Sequence, residues 1–242
     1  MENIADLIEH NHFYHVFQPL CRLPEQNKFG YEALIRSKTG ISPDALFQGA
    51  LSQNRLLQLD MWSIDCAVSS FFSSPVIQEG DELLFVNLFP STIVADTFPS
   101  FVDNLERRFL LFRHRIVLEI NESIIEGQIW NDPLFIQRIG ELRDAGFLIA
   151  LDDVGDGTTT FRKIVEISPD FIKIDRFFST GLSICKKKQK VIRLFVDYCR
   201  DDSSLILEGI EREEDLAHAS LLGVTIGQGY FLGKPDRLEE HK

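Results

Sequence analysis

Polar and charged side chains close a series of short apolar segments in this chain. Seven segments show the pattern: FGYEALIR with Glu32, LLFVNLFP with Asn87, RIVLEINES with Glu119 and Glu122, LIALDDV with Asp152 and Asp153, FIKID with Lys173 and Asp175, LILEGIE with Glu208 and Glu211, and TIGQGY with Gln228. A buried carboxylate is costly unless its charge is paired, and one lysine cannot neutralise so many. Because hard oxygen ligands suit Mg²⁺ or Mn²⁺, the set predicts a two-ion site able to direct water at a phosphodiester.

The adjacent carboxylates of Asp152 and Asp153 need a special backbone to serve one site. Neighbouring strand residues normally face opposite sides of a sheet. At a strand end loosened by Gly155 and Gly157, both groups could reach the same cluster, with Asp152 bridging two ions and Asp153 holding the second. Taken alone, such a residue is equally typical of a helix N-cap or turn. Repetition over seven segments favours a shared site.

The apolar segments alternate with amphipathic stretches, as in β/α units whose sheet is buried on both faces. Strands are predicted near 13–20, 30–36, 83–88, 116–121, 147–152, 171–174, 204–208 and 225–230. Helices are predicted near 43–51, 55–73, 97–109, 132–145, 159–167, 186–200 and 212–222. No Pro/Gly/Ser-rich linker divides the chain, so one α/β barrel is favoured over two domains. The carboxyl ends of barrel strands converge at one mouth, which would gather the polar residues.

Composition limits the kinds of binding partner and the cellular location that we expect for this protein. The formal charge of −12 over 242 residues opposes a role in binding a nucleic-acid polymer, and an anionic ligand would need bridging cations. Cys21, Cys66, Cys185 and Cys199 form no C-x-x-C pair, which argues against disulfides and a zinc site. The N-terminus lacks a signal-peptide pattern, and no apolar run reaches the ~18 residues of a membrane span. We therefore expect a cytoplasmic protein that does not bind membranes.

Three histidines near the N-terminus, His10, His12 and His15, have a spacing that could suggest a metal site. No cysteine or carboxylate follows them at ligand spacing. We interpret them as part of a solvated N-terminal segment.

The polar segments, in this order and with the tripeptide Glu32-Ala33-Leu34, resemble the EAL-domain family, whose members hydrolyse cyclic di-GMP to linear pGpG. The resemblance runs from about Phe17 to Pro235. It implies a modified TIM (β/α)8 barrel whose first strand is antiparallel to the others, in place of a plain parallel barrel. It also implies one EAL domain over 1–242, with an N-terminal segment at 1–12, the barrel at 13–235 and a tail at 236–242. Family members commonly dimerise, so a homodimer is compatible with the resemblance.

Roles for individual residues follow from the same resemblance. Glu32, Asn87, Glu119 and Asp152 would hold a first metal ion. Asp152 and Asp153 would hold a second, with Glu208 acting directly or through water. Lys173 would contact the nucleophilic water, and Glu122 would steady the loop after Asp153. The residues implied in binding the dinucleotide or shaping its pocket are Gln18, Leu34, Arg36, Glu211 and Gln228.

The segment after β-strand residue Asp153 departs from the family pattern. The family usually has D-D-F-G-T-G-Y-S-S, whereas this chain has Val154, Asp156 and Thr158 in place of Phe, Thr and Tyr. Both aspartates and both glycines remain, so metal binding is expected to persist while the packing of the loop changes. One alternative is a catalytically weak or inactive module that binds cyclic di-GMP or a protein. Another is an enolase-type proton abstraction, which the double aspartate and Asn87 fit less well.

Overall fold

The computed structural model describes residues 4–10, 12–121, 128–155 and 161–238, which form a closed barrel of eight strands surrounded by helices. The strands are β1 (Phe13–Arg22), β2 (Asn27–Ser37), β3 (Leu83–Leu88), β4 (Ile116–Ile120), β5 (Leu148–Val154), β6 (Phe171–Ile174), β7 (Ser204–Leu207) and β8 (Ile226–Gln228). Strand β1 is antiparallel to both its neighbours, β2 and β8, and every other pair is parallel. The modified α/β barrel with an antiparallel first strand is confirmed.

The helices in the described residues are α1 (Ile4–Glu9), α2 (Pro43–Ser52), α3 (Leu56–Phe72), α4 (Pro75–Glu79), α5 (Pro90–Ile93), α6 (Phe98–Arg108), α7 (Pro133–Asp144), α8 (Phe161–Ile167), α9 (Arg176–Ser179), α10 (Lys186–Cys199) and α11 (Glu213–Leu221). The predicted helices match α2, α3, α6, α7, α8, α10 and α11 to within a few residues. The short helices α1, α4, α5 and α9 were not predicted because four to six residues carry too little periodicity. None of the described helices has the length and apolar character needed to cross a bilayer.

The interior of the barrel is closed by an apolar plug. Seven strands each contribute one buried side chain to it: Leu20, Phe85, Val117, Ala150, Phe171, Ile206 and Ile226. On β2 the corresponding position is Gly30, where an added Cβ would lie 2.6 Å from the carbonyl oxygen of Leu83 and 3.2 Å from the Phe85 ring. The large Phe85 and Phe171 rings, 5.2 Å apart, therefore fill space that a β2 side chain would otherwise occupy. The plug forms the floor beneath the carboxyl ends of the strands.

A second and larger core lies between the barrel wall and the helices. All five residues of β4 are buried, as expected for a parallel strand covered on both faces. Outward-facing residues of β3 and β4, such as Leu84 and Leu118, pack in the same cluster as Phe71 of α3 and Phe135 of α7. This packing holds the strands in a fixed register, so side chains at their carboxyl ends are positioned by rigid elements.

The N-terminal segment is more ordered than a solvated segment would be. Ile4, Leu7 and Ile8 of α1 are buried in a cluster that includes Phe13 of β1 and Leu46 of α2. His10 is exposed, and His12 is half-buried. The interpretation as solvated is wrong for His15, which lies within β1 and is 8% exposed. It lies on the same face of β1 as the buried Phe13 and Phe17, and this face is turned toward α3.

Candidate functional site

The site is built from the strand residues two positions beyond the apolar plug. Because side chains alternate along a strand, a residue two positions further on faces the same side. The positions that follow the plug in this way are Asn87, Glu119, Asp152, Lys173, Glu208 and Gln228, together with Glu32 beyond Gly30. On the antiparallel β1 the same rule runs backwards, from Leu20 to Gln18. One register therefore brings polar side chains from all eight strands to the barrel mouth.

The Lys173 ammonium lies at the centre of this polar group. Its Nζ is 2.7 Å from Glu119 Oε1 and 2.7 Å from Glu208 Oε1. It is also 3.1 Å from Asp152 Oδ1 and 3.7 Å from Glu32 Oε2. Only 1% of the Lys173 side chain is exposed. Four strands, β2, β4, β5 and β6, and the residue after β7 therefore meet at one buried cation.

A backbone irregularity brings Asp153 to the side on which Asp152 lies. Pairing between β5 and β6 shifts register between Leu151 and Val154. Asp153 has φ +53°, in the left-handed region that few non-glycine residues adopt. Oxygen atoms of Asp152, Asp153 and Glu208 consequently lie within 4.8 Å of one another. The paired carboxylates share one site because Asp153 itself leaves the strand conformation. The sequence had suggested that Gly155 and Gly157 would loosen the backbone instead. Gly157 lies outside the described residues.

Burial and mutual repulsion hold the carboxyl protons of this cluster more tightly than usual. Burial raises the pKa of Glu119 well above its ordinary value, an effect that Lys173 partly offsets. Burial, opposed by Lys173 and reinforced by Asp152, raises the pKa of Glu208 to about 8. Burial and the neighbouring Asp152 raise the pKa of Asp153 to about 6. Burial alone would lower the pKa of Lys173, but the four surrounding carboxylates raise it well above its ordinary value. One lysine is insufficient to keep all these carboxylates ionised.

Several buried oxygens of the cluster accept no well-aligned hydrogen bond and fit divalent cations. Neither oxygen of Glu119 accepts a hydrogen bond of good geometry from the described residues, although Oε1 is close to Lys173. The same is true of Asp152 Oδ1 and of Gln228 Oε1. Buried oxygens without donors are costly, and Mg²⁺ and Mn²⁺ prefer oxygen ligands of these kinds. The residues at the barrel mouth could therefore hold hard divalent ions.

Glu32 is held in place by two amide side chains. Gln228 Nε2 donates a hydrogen bond of 2.6 Å to Glu32 Oε2. Asn87 Nδ2 lies 3.5 Å from Glu32 Oε1, at the limit of a hydrogen bond. Gln228 thus contacts a candidate metal ligand, and its contact with a dinucleotide stays a prediction.

A cavity of about 480 Å³ opens beside the cluster. Of the predicted residues, Glu32, Leu34, Arg36, Asn87 and Asp152 line it. The Arg36 guanidinium donates to the carbonyl oxygen of Ile35 in the same strand.

Other predicted residues do not line this cavity. Gln18 donates to the carbonyl oxygen of Gly233. Glu211 is exposed beyond β7. Asp175 accepts a hydrogen bond from the Phe177 amide and caps α9. It therefore has the helix-capping role that the sequence analysis gave as the alternative to a place in the shared site. Glu122 lies outside the described residues.

Among the cavity residues that the sequence analysis did not assign to the site are His15, Ser63 and Asn121. Asn121 directly follows β4 in the segment RIVLEINES, so the strand-end pattern could have indicated it. A histidine inside the apolar segment of β1 was a signal for His15, whereas nothing in the sequence distinguished Ser63 from the other serines of α3.

Comparison with known proteins places this architecture in a family. The sequence profile of the EAL domain matches residues 1–235. The chain is 25% identical over 98% of its length to the cyclic di-GMP phosphodiesterase PdeF of Escherichia coli, and 30% identical over 96% to the probable cyclic di-GMP phosphodiesterase PdeI of the same organism. It covers 32% and 30% of those proteins, so it spans about a third of the length of the curated relatives it matches.

Solved structures agree with this family assignment. Klebsiella pneumoniae BlrP1, in a complex with calcium and cyclic di-GMP, superposes with a TM-score of 0.81 at 26% identity over 93% of this chain and 56% of the other. The PaMucR phosphodiesterase in complex with cyclic di-GMP has the same fold, with a TM-score of 0.84 at 23% identity over 97% of this chain and 96% of the other. Because the EAL domain profile matches residues 1–235, nearly the whole sequence, the chain belongs to the EAL domain family.

Proposed function

We propose that this protein is a metal-dependent phosphodiesterase that hydrolyses cyclic di-GMP to linear 5'-pGpG. The observation that carries the proposal is the convergence of five carboxylates around Lys173 at one barrel mouth, where a single buried cation faces several negative charges. The relatives PdeF and PdeI, named for this activity or its probable presence, support the choice of substrate. BlrP1 structures with calcium and with manganese support a requirement for divalent ions.

The proposed metal ligands are Glu32, Asn87, Glu119, Asp152 and Asp153, with Glu208 acting directly or through water. Two Mg²⁺ or Mn²⁺ ions held there would acidify a water molecule and stabilise charge on the phosphodiester oxygens. The protein would orient the ions and the phosphodiester, because each ligand projects from a strand end whose register is fixed by the core. The proposed ligands are chosen because their side chains lie together at the barrel mouth.

Lys173 and Arg36 would act on the reacting groups. The Lys173 ammonium, held between Glu119 and Glu208, is placed to donate a hydrogen bond to an attacking water. Arg36 lines the adjoining cavity, where a guanidinium can pair with a phosphate oxygen. Leu34, Gln18 and Glu211 are proposed to shape the rest of the substrate site. Glu122 is proposed to steady the loop after Asp153.

The direct test is hydrolysis of cyclic di-GMP by the purified protein in Mn²⁺ or Mg²⁺, followed by chromatography of the products. We expect linear pGpG to form, EDTA to abolish its formation, and Glu119→Gln to lower kcat by at least about a hundredfold because a buried ligand charge is removed. Exposed Glu213→Gln is the matched control and should retain full activity. Unchanged turnover in EDTA or in Glu119→Gln would refute the proposed metal-dependent mechanism.

The same measurement separates an enzyme from a binding module. Binding of cyclic di-GMP by calorimetry, without pGpG formation in saturating Mn²⁺, would identify a non-catalytic EAL module. Absence of both binding and hydrolysis would refute cyclic di-GMP as the ligand.

A further inference from the structure

A second cavity, of about 490 Å³, lies between β1 and α3, away from the carboxylate cluster. We call it the α3–β1 cleft, and the lining residues that matter here are Phe13, Tyr14, Lys38, Trp62, Cys66 and Arg237. None of the predicted metal ligands lines it. His15 lines both this cleft and the cavity at the barrel mouth, so one buried side chain lies between the two.

The charge of the cleft is opposite to that of the chain as a whole. Lys38 and Arg237 line the cleft, and no aspartate or glutamate of the described residues does so. The whole chain has 37 acidic residues against 25 lysines and arginines, so a cavity lined by cations alone departs from the average surface. A local positive potential attracts anions. The cleft is therefore suited to a ligand that carries negative charge.

The two cations flank the N-terminal end of β1. Lys38 directly follows β2, which pairs with one edge of β1. Arg237 lies on the other edge, next to the point where Asp236 pairs with Phe17. The Arg237 guanidinium lies 5.4 Å from the centre of the Tyr14 ring. One anionic group at this end of the cleft can therefore approach both cationic side chains.

The α3 side of the cleft offers aromatic surface. Trp62 is half-buried, and its ring centroid lies 5.5 Å from that of the buried Phe13. Cys66 and Ser70 follow Trp62 at intervals of four residues on the same face of α3 and also line the cleft. A concave surface with an aromatic side chain and a few polar groups is typical of small-molecule sites, and a partly open indole can stack on a planar ring.

We propose that the α3–β1 cleft is a second ligand site, which binds a planar aromatic ring carrying one phosphate-type anion, as in a nucleoside monophosphate. The anion would lie between Lys38 and Arg237, and the ring would contact Trp62. This inference goes beyond the proposed function and does not depend on it, because none of the predicted metal ligands takes part. The ligand would touch the cavity at the barrel mouth only through His15.

The test uses guanosine 5'-monophosphate and metal-free protein in EDTA, so that the carboxylate cluster holds no ions to bind a phosphate. Tryptophan fluorescence can report binding in the cleft, because Trp62 lines it whereas Trp130, the other tryptophan of the chain, is 3% exposed and lies outside it. We expect a saturable change in emission with a Kd below about 1 mM. Trp62→Phe should lose the change in emission, while calorimetry should still detect binding.

Removal of either cation should weaken binding. Arg237→Gln and Lys38→Gln are each expected to raise the Kd about fivefold, because each loses a charge-assisted contact with the phosphate. Guanosine, which lacks the phosphate, should bind the wild type at least about tenfold more weakly than the monophosphate. Arg107→Gln, at an exposed position on α6 outside the cleft, is the matched control and should leave the Kd unchanged. Thermal melting of each variant verifies that it is folded.

The inference would be overturned by an absence of saturable binding up to about 5 mM guanosine 5'-monophosphate. It would also be overturned if the change in emission persisted in Trp62→Phe, which would locate the ligand elsewhere. A wild-type Kd in both Arg237→Gln and Lys38→Gln would have the same consequence. These measurements involve neither metal ions nor cyclic di-GMP, so the proposed phosphodiesterase activity stands or fails separately.

Discussion

Gln228 Nε2 and Glu32 Oε2 are joined by a buried hydrogen bond of 2.6 Å that connects β8 to β2 across the antiparallel strand β1. The bond occupies one carboxylate oxygen of Glu32 and leaves the other toward Asn87. A carboxylate fixed in this way loses little rotational freedom when it binds an ion. Gln228 is therefore a positioning residue for a candidate ligand, and the barrel closure itself takes part in building the site.

Replacing Gln228 by Leu should weaken metal binding. The substitution removes the donor to Glu32 while keeping a branched side chain of roughly similar bulk. Loss of a group that orients a ligand lowers metal affinity by about 10- to 100-fold. The measurement is calorimetric titration of Mn²⁺ into protein freed of metal with EDTA, with no dinucleotide present. Gln137→Leu, at an exposed position on α7, should bind Mn²⁺ as the wild type does. Equal affinities for Gln228→Leu and wild type would remove the positioning role.

Lys173→Met should destabilise the metal-free protein. Lys173 Nζ lies within 4 Å of oxygens from four carboxylates, and removing it leaves their repulsion without a buried counter-charge. Breaking a buried ion pair from one side costs about 3 kcal/mol or more of the free energy of unfolding. Urea unfolding in EDTA measures this loss. Adding Mn²⁺ should restore more stability to the variant than to the wild type, because the ions supply the missing positive charge.

A matched substitution, Lys187→Met, changes an exposed lysine near the start of α10 and should leave urea unfolding nearly unchanged in either condition. The picture of Lys173 as a counter-ion would be wrong if Lys173→Met unfolded at the wild-type urea concentration in EDTA.

The strand-end residues could be predicted from the sequence because a closed barrel brings polar residues that recur at the ends of its strands to one location. Glu119, Asp152 and Lys173 each end a short apolar segment, and any closed barrel of these strands brings such ends to one mouth. The direction of these side chains could also be predicted, because Glu119, Asp152 and Lys173 each stand two residues after an apolar residue that faces the interior. Glu211 and Asp175 satisfy the same loose criterion of a polar strand end. Glu211 lies four residues beyond the end of β7, where the alternation no longer fixes a direction, and the Asp175 side chain caps α9.

Other parts of the site depend on packing between distant segments and have no local signal. The contact of His15 with Ser63 joins residues 48 positions apart and depends on how α3 lies against β1. The left-handed conformation of Asp153 depends on the register shift between β5 and β6. The burial of α1 depends on apolar residues of α2 and β1 that are remote in sequence. For this reason the sequence indicated the cluster more completely than the cavity beside it.

His15 should make the protein less stable in acid. Its pKa in the folded state, about 4, is below the ordinary value of 6.5, so the unfolded chain binds a proton more readily than the folded one. Its contribution is complete above about pH 6.5 and is lost as the pH falls toward 4, by up to about 3 kcal/mol for a shift of this size. His15→Gln should remove this part of the acid sensitivity.

The measurement for His15 is the free energy of urea unfolding at several pH values from 7 down to 4. The difference between wild type and His15→Gln should shrink steadily as the pH falls, because the variant has no imidazole to protonate. His10→Gln, at an exposed position, should follow the wild-type curve. A constant difference between wild type and His15→Gln across this range would contradict the prediction.

Cys185 should be the most reactive of the four cysteines. It stands at the N-cap of α10, where the nearby backbone amides of Lys188 and Lys187, together with the lysine charges, lower the pKa of its thiol. Burial raises the pKa of Cys21, and it raises those of Cys66 and Cys199 to about 11. Because the thiolate is the nucleophile, brief treatment with iodoacetamide near pH 7 should alkylate Cys185 first, as measured by peptide mass spectrometry. Cys185→Ser should lose the fast phase of labelling, whereas Cys66→Ser should keep it. Faster labelling at Cys66 than at Cys185 in the wild type would show that access, and not thiolate stability, governs reactivity here.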